Sequence, residues 1–399
     1  MSEAPTPTTY LASLNSDGLG VRLGVLSNVI AVAKKTSLDY RFVWPAPSRN
    51  PHHGIPLPEE VFAKGFCNRI IEKSPQSWSW IHETSGDSDA FSGAVRVPLF
   101  LPPKTMTSLG LEDRDLTDAW NLIEFSESAM AIASTARTFR LDSTATTVVH
   151  IRGGDVMAGY WGMLSYHWRK VVTIPVLWAI EDWLASLEAG GEGPLAIFSQ
   201  DKELGEVLEA AGYEVHYSSR HEDEAESFST TFLDLNRISH FDRIISGTSG
   251  FTVAAARATG AELFTFHSHI SNPALVEKSM EFLESDLAFQ LPKQAGYVFG
   301  VLLGPLGSEI NSLQLTKLVA RAEALGIFWF PAVQFHLGVY LAKRDQIGTW
   351  KNLLQREKFT DPFNSEQVKK LVTYCLKSTA FTKFYGLDEL NSVMKHLST

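Results

Sequence analysis

Between residues 141 and 270 the chain alternates short apolar runs with helix-length amphipathic segments. Thr146–Ile151, Leu195–Phe198, Glu214–Tyr217, Arg243–Ile245 and Ala261–Phe266 read as strands. Segments 173–189, 202–211, 227–240 and 251–258 lie between them and read as helices. Strands separated by a helix are too far apart along the chain to close as hairpins. Each connection must then be a right-handed crossover, and the sheet must be parallel. The region is expected to be an open α/β sheet with helices on its faces.

The first of these strands runs into the most informative turn of the chain, Thr146-Thr147-Val148-Val149-His150-Ile151-Arg152-Gly153-Gly154-Asp155. Two adjacent glycines allow the backbone to approach a ligand closely or to take a positive φ. The guanidinium beside them is a planar fork of donors that stays charged, which suits a phosphate. A strand end that delivers Arg into a glycine turn is where an α/β protein holds a nucleotide diphosphate. An Arg–Asp pair that simply braces the turn would use the same residues, and from the residues alone both readings stand.

The flanking regions have a different texture. Residues 1–140 open with Gly18-Leu19-Gly20-Val21-Arg22-Leu23 and continue into a helix from Gly24 to Lys35. A strand from Asp39 stops at Pro45, a loop rich in Pro, His and Ser follows, and a helix is expected over 116–135. In residues 271–399 the period becomes helical throughout, with amphipathic helices expected over 312–325, 327–341, 346–357, 365–377 and 388–397. No fixed repeat length is evident there. This helical tail is either an appendage of the α/β part or a module that docks a protein partner.

Composition narrows the class. At 399 residues the chain can hold two or three domains, divided here as 1–140, 141–270 and 271–399. A net charge of −10 argues against a general nucleic-acid or anionic-membrane binder. Cys67 and Cys375, far apart in sequence, read as reduced thiols of a cytoplasmic protein. Met1–Thr9 carries no charged-then-apolar signal pattern. No apolar run approaches the ~20 residues of a membrane span, and the run from Ile174 to Leu187 is interrupted by Glu181 and Asp182. No transmembrane span is expected.

The turn His150-Ile151-Arg152-Gly153-Gly154-Asp155 resembles the His-x-Arg-Arg-x-Asp signature of the inverting fucosyltransferases, a superfamily that takes in α1,2-, α1,6- and protein O-fucosyltransferases. Two further blocks resemble the family in the same order. One is Gly18-Leu19-Gly20-Val21-Arg22-Leu23 with Val43-Trp44-Pro45. The other is Ile197-Phe198-Ser199-Gln200-Asp201 followed by Ile244-Ile245-Ser246-Gly247-Thr248-Ser249-Gly250-Phe251. The resemblance spans residues 10–266 and leaves out the helical tail.

It implies an α/β, GT-B-like fold: two Rossmann-like domains facing a cleft, with an α-helical C-terminal region added. Residues 1–140 would be the acceptor side and 141–270 the nucleotide-sugar side. The implied activity is metal-independent, inverting transfer of fucose from GDP-fucose to a glycan or glycoconjugate, with no cofactor beyond the donor itself. Arg152 would contact the diphosphate, with Gly153 and Gly154 beside it and Asp155 holding the turn. The same resemblance brings Gly18, Gly20, Ser199, Thr248, Ser249 and Gly250 to the donor. Gly153 stands where the family has a second Arg and Val21 where it usually has a polar residue, which leaves the donor sugar open between fucose and another nucleotide sugar. A non-catalytic relative that binds glycan or nucleotide and works through its helical tail is the remaining alternative.

Several of these residues have a plain structural reading as well. Thr248-Ser249-Gly250 is an anion site at a helix start or an ordinary N-cap. Asp201 is an acid near the base or ribose, or the N-cap of the helix at 202–211. His150 is a packed strand-end imidazole or an acid–base group. Arg22 faces the cleft or the surface. No general base is evident; His167 is the candidate nearest the motif. Trp78, Trp80, Tyr160 and Trp161 could stack a sugar or fill a core. Asp87-Ser88-Asp89 has the form of a metal-dependent transferase motif, but no apolar strand precedes it, so it reads as a solvated loop, as does the charge run 221–226. His52-His53 and His267-Ser268-His269 lack acids or cysteines at metal-ligand spacing.

Overall fold

A computed structural model describes residues 10–14, 18–37, 39–44, 56–72, 97, 99, 101, 103–139, 144–152, 165–187, 195–218, 228–328, 330–356 and 362–397. Among the described residues, eight strands form two sheets. In the smaller, β1 (Tyr10–Leu14), β2 (Asp39–Val43) and β3 (Ile71–Glu72) pair in that order, parallel, with Tyr10 opposite Asp39 and Phe42 opposite Ile71. The larger contains β4 (Thr147–Ile151), β5 (Leu195–Ser199), β6 (Glu214–Tyr217), β7 (Arg243–Ser246) and β8 (Glu262–Thr265), ordered β6-β5-β4-β7-β8. The α/β class and the parallel sheet expected from the alternation are present. β4 and β7 run parallel with Thr147 opposite Arg243 and His150 opposite Ser246. Chain order reverses between these two strands, so their carboxyl ends flank the switch point of a doubly wound sheet.

The chain packs as two compact units, one drawn from residues 1–150, 193–198 and 213–264, the other from 151–192, 199–212 and 265–399. The first holds α1 (Leu19–Thr36), α2 (Pro58–Val61), α3 (Lys64–Ile70), α4 (Pro103–Leu109), α5 (Asp113–Trp120) and α6 (Glu127–Phe139). The chain then enters the second unit for α7 (Ile174–Leu187) and α8 (Lys202–Ala210), and returns to the first for α9 (Phe228–Ser239) and α10 (Gly250–Thr259). One apolar core runs through the first unit, from Leu23, Leu26 and Ile30 of α1 to Val148, Phe198 and Ile244 of the larger sheet.

The expected single helix over 116–135 is two helices, α5 and α6. Between them Phe125 bridges Phe62, Ser126 N donates to Val61 O at 2.9 Å, and the Ser126 hydroxyl accepts from Ala129 N at 3.1 Å. A tertiary strand contact and a local cap together outweigh a continuous helical period. The helix expected from Gly24 begins earlier, at Leu19, so the glycine block is its first turn.

The second unit continues with α11 (Asn272–Glu284), α12 (Leu287–Gln290), α13 (Pro292–Leu303), α14 (Ser312–Ala324), α15 (Pro331–Ala342), α16 (Ile347–Arg356), α17 (Pro362–Leu376), α18 (Thr379–Tyr385) and α19 (Leu387–Leu397). The sequence reading put an amphipathic helix over 327–341. Instead α15 starts at Pro331 and is buried on every side from Ala332 to Leu341, packed by α13, α16, α17 and α19. Its starting point follows from Pro at the first helical position, and its apolar circumference marks the centre of a bundle. Trp350 of α16 lies against Gly338, its Nε1 donating to Gln334 Oε1 at 3.2 Å. Among the described residues no helix is long and apolar enough to cross a membrane.

The tightest packing in the first unit is between α1 and α10. A Cβ on Gly20 would lie 2.6 Å from Phe251 Cα, and one on Gly250 would lie 3.2 Å from Val21 Cα. The two helices therefore meet backbone to backbone at their amino ends. Gly20→Ala should lower stability by ~1–3 kcal/mol through overpacking, read as an earlier midpoint in urea. Gly348→Ala, where an added Cβ meets nothing, should leave the midpoint unchanged or raise it slightly.

Candidate functional site

The carboxyl ends of β4 and β7 carry the first set of residues. Past β7 the chain turns through Gly247-Thr248-Ser249 into α10, with Ser249 in the N-cap position at φ −132°. Internal hydrogen bonds hold this turn. Ser246 Oγ donates to Gly247 O at 2.7 Å and lies 2.8 Å from Thr252 Oγ1, and Thr252 Oγ1 donates back to Ser249 O at 3.1 Å.

Ser249 is 3% exposed, its side chain caps nothing, and its hydroxyl has no hydrogen-bond partner among the described residues. Buried hydroxyls are normally satisfied, and an orphan costs ~1–3 kcal/mol. It sits with the unpaired N–H groups of a helix amino terminus, which carries partial positive charge. An anion would satisfy all of these donors together.

The first turn of α1 lies against this point. Gly18 is its N-cap, with no side chain to satisfy the first N–H groups, and Gly20 permits the backbone contact with Phe251. The amino ends of two helices thus converge beside the end of β4. His150, 2% exposed, packs its ring 6.3 Å from Phe198 and 5.4 Å from Phe251, centroid to centroid. That is the packed imidazole of the two readings. Arg22 is neither on the surface nor solvated: it is fully buried, with its guanidinium 5.0 Å above the Trp44 ring.

Sequence reading did not single out Arg257, which fastens the contact. Its Nη1 donates to Gly24 O, and to Ser27 Oγ at 3.2 Å, while Nη2 reaches Leu99 O at 3.2 Å. Asn28 Nδ2 donates to the same Leu99 carbonyl at 2.9 Å. Burial lowers the Arg257 guanidinium to about 10, with Asp113 acting in the opposite direction, so it is still a cation at neutral pH. A lone Arg in the run Val253-Ala254-Ala255-Ala256-Arg257-Ala258 was the available signal. Small residues let helices approach, and the cation must then find carbonyls.

In the second unit, Arg152 is half-buried immediately after β4. Beside it in the sheet, Gln200 N donates to Ile151 O at 3.2 Å. Ser199, 1% exposed, donates from Oγ to Asp201 O at 2.8 Å and accepts from Asp201 N at 3.1 Å. Asp201 Oδ1 accepts from Leu204 N at 3.1 Å, which makes it the N-cap of α8.

Gly153, Gly154 and Asp155 lie outside the described residues, as do His52-His53, Asp87-Ser88-Asp89, Trp78, Trp80, Tyr160, Trp161 and the side chain of His167. Among the described residues no group of three or more His, Cys, Asp or Glu is arranged to hold a metal.

The cap role gives a discriminating experiment. Asp201→Ala should lose ~1 kcal/mol in denaturant unfolding, whereas Asp201→Ser, which keeps a cap oxygen, should retain most of the stability. If the Ser variant keeps stability yet loses nucleotide affinity, the carboxylate itself meets the ligand.

No family model and no curated protein matches the chain. The solved structures it is similar to include three fucosyltransferases. NodZ from Bradyrhizobium is 12% identical over 67% of this chain and 98% of its own, with a TM-score of 0.41. FUT1 from Arabidopsis thaliana, in complex with GDP, is 11% identical over 66% and 71%, with a TM-score of 0.42. POFUT1, in complex with GDP, is 14% identical over 66% and 100%, with a TM-score of 0.33. Likeness at this distance carries no argument about the chemistry of this chain.

Proposed function

We propose that the chain is a metal-independent, inverting glycosyltransferase of GT-B type that moves fucose from GDP-fucose to a glycan or glycoconjugate. The observation that carries this reading is the buried, unpartnered hydroxyl of Ser249 at the amino end of α10, on the carboxyl side of a doubly wound sheet at its switch point. The resemblance of the turn at His150–Asp155 to the fucosyltransferase signature supplies the donor class.

In an inverting displacement the acceptor oxygen bonds to the anomeric carbon as the bond to the β-phosphate oxygen breaks. Negative charge collects on the leaving diphosphate, and donors fixed before the reaction lower that barrier most. In this reading the Ser249 hydroxyl and the first N–H groups of α10 take part of the charge, and Arg152 supplies the permanent cation. Asp155 holds the turn, Thr248 and Gly250 shape the anion cradle, and Gly18, Gly20 and Arg22 form the wall contributed by α1. His150, Ser199 and Asp201 support the strand ends. No general base is assigned.

Residues 1–140 would receive the acceptor and 271–399 would serve as an accessory helical region. Cys67 and Cys375, both buried and unbridged, fit work in the cytoplasm. One sequence feature favours a second reading: Gly153 removes a cation that fucosyl donors meet in much of the family, so a different nucleotide sugar is the alternative donor.

Calorimetric titration with GDP, UDP and CDP tests both readings. Selective GDP binding that survives EDTA is expected, with a loss of ~1.5–3 kcal/mol in Arg152→Ala. Preference for UDP or CDP would move the assignment to the second reading. Absence of any nucleotide binding would overturn the transferase reading.

A further inference from the structure

The second unit contains a cavity of its own, walled by segments far apart in the chain. One wall is Trp168, from the 3-10 helix Ser165–Lys170, with Thr173 and Val176 at the start of α7. The other is Leu275 and Ser279 of α11 with Tyr297 and Val301 of α13. The space between them, its mouth included, is about 310 Å³. That is the lower limit for small-molecule sites, which run from roughly 300 to 1,000 Å³.

The walls are tied to one another. Lys278 Nζ of α11 lies 2.8 Å from Asp182 Oδ2 of α7, and Trp178 of α7 meets Phe282 of α11 edge-on at 6.2 Å. α13 packs on both α11 and the 3-10 helix. Leu306 N donates to Val301 O at 3.1 Å, which folds the chain back on the last turn of α13.

Tyr297 is the polar group that this packing leaves unspent. It is 2% exposed and sits among Val171 and Val301. Its hydroxyl has no hydrogen-bond partner among the described residues. Burial raises the phenol above its usual range, so it keeps its proton at any ordinary pH. Most buried hydroxyls are paired, and one that is not calls for a partner.

More donors open on the same space. Leu177 N donates to Thr173 O at 2.8 Å, the first bond of α7. Val176 N precedes that bond and therefore has no carbonyl within the helix. Thr173, 4% exposed, and Ser279, 5% exposed, add hydroxyls to the lining. The rest of the surface is hydrocarbon and indole. An occupant must offer an acceptor oxygen to one part of the cavity and an alkyl surface to the other. No Lys, Arg or His is among the described lining residues, and a helix amino end supplies only about half a charge. A carboxylate or phosphate would be buried there without enough compensation. A carbonyl oxygen accepts two hydrogen bonds and brings neither charge nor a proton.

We propose that this cavity binds the carbonyl end of a small neutral ketone or ester. The oxygen accepts from the Tyr297 hydroxyl and the amino end of α7, and the alkyl part lies along Leu275 and Val301. Binding here does not depend on the transferase reading.

The test is an NMR titration of the full chain, labelled at backbone nitrogen and at Val and Leu methyls, with butanone, methyl acetate, acetate and 2-methyl-2-butene. Butanone and methyl acetate should move the Val176 amide signal and the Leu275 and Val301 methyl signals saturably. Tyr297→Phe keeps the ring in the core and should weaken both carbonyl compounds about fivefold or more. The same change should leave the response to 2-methyl-2-butene, which lacks the oxygen, as it was. Four results would overturn the proposal. The first is no saturable shift with either carbonyl compound. The second is equal affinity in Tyr297→Phe, which would leave only an apolar hole. Tighter binding of acetate than of methyl acetate would make this an anion site. A water-to-Tyr297 hydroxyl NOE that persists at saturating butanone would assign that hydroxyl to an internal water.

Discussion

The backbone contact between α1 and α10 governs the geometry of the first unit. Glycine at 20 and at 250 removes the side chains that would hold two helices at ordinary separation. Close approach brings two helix amino termini to one place, and each has several N–H groups that its own helix cannot satisfy. Like dipole ends repel, so the contact needs a fastening. Arg257 provides it by spreading three hydrogen bonds over α1 and the Leu99 segment. The charge is tolerated in the interior because carbonyls and a hydroxyl solvate it.

That arrangement explains why the polar residues of the switch point differ so much in their bonding. Ser246 and Thr252 are satisfied by one another and by the backbone. Ser249, three residues away along the same turn, is buried without a partner. Asp201, at the end of a different strand, is spent on capping its own helix. Residues of one chemical type at the ends of one sheet therefore separate into those that hold the fold and one that stays available.

The alternation in residues 141–270 made the larger sheet readable, with strand ends correct to within a residue or two, because buried parallel strands and their crossover helices differ sharply in period. The motif turn is known from the chain alone beyond Arg152, because Gly153, Gly154 and Asp155 lie outside the described residues. What periodicity could not convey was tertiary. It could not show that Phe125 would bridge Phe62 and break a helix in two. It also gave no sign that α11, α12, α13 and α18 would form beside the five helices expected in the tail, or that α15 would lack a solvent face. Arg22 illustrates the same limit: a cation in a glycine-rich segment looks exposed until Trp44 covers it. The cap hydrogen bond at Asp201 could not be told from sequence either, since a cap and a ligand-binding acid occupy the same place before a helix.

The bundle around α15 has a consequence for how this chain is made. A helix apolar on every side cannot be buried by what precedes it. The walls supplied by α17 and by Leu390 and Val393 of α19 are synthesised after it. During translation α15 therefore emerges with its apolar surface uncovered and must wait for its partners. The second unit also takes in α7 and α8, which precede α9 and α10 of the first unit, so its assembly joins segments made earlier to segments made later. Synthesis of α17 and α19, rather than local helix formation, sets the earliest moment at which this half of the molecule can close, and the interval before it is when chaperones would meet exposed Phe335, Leu337 and Tyr340.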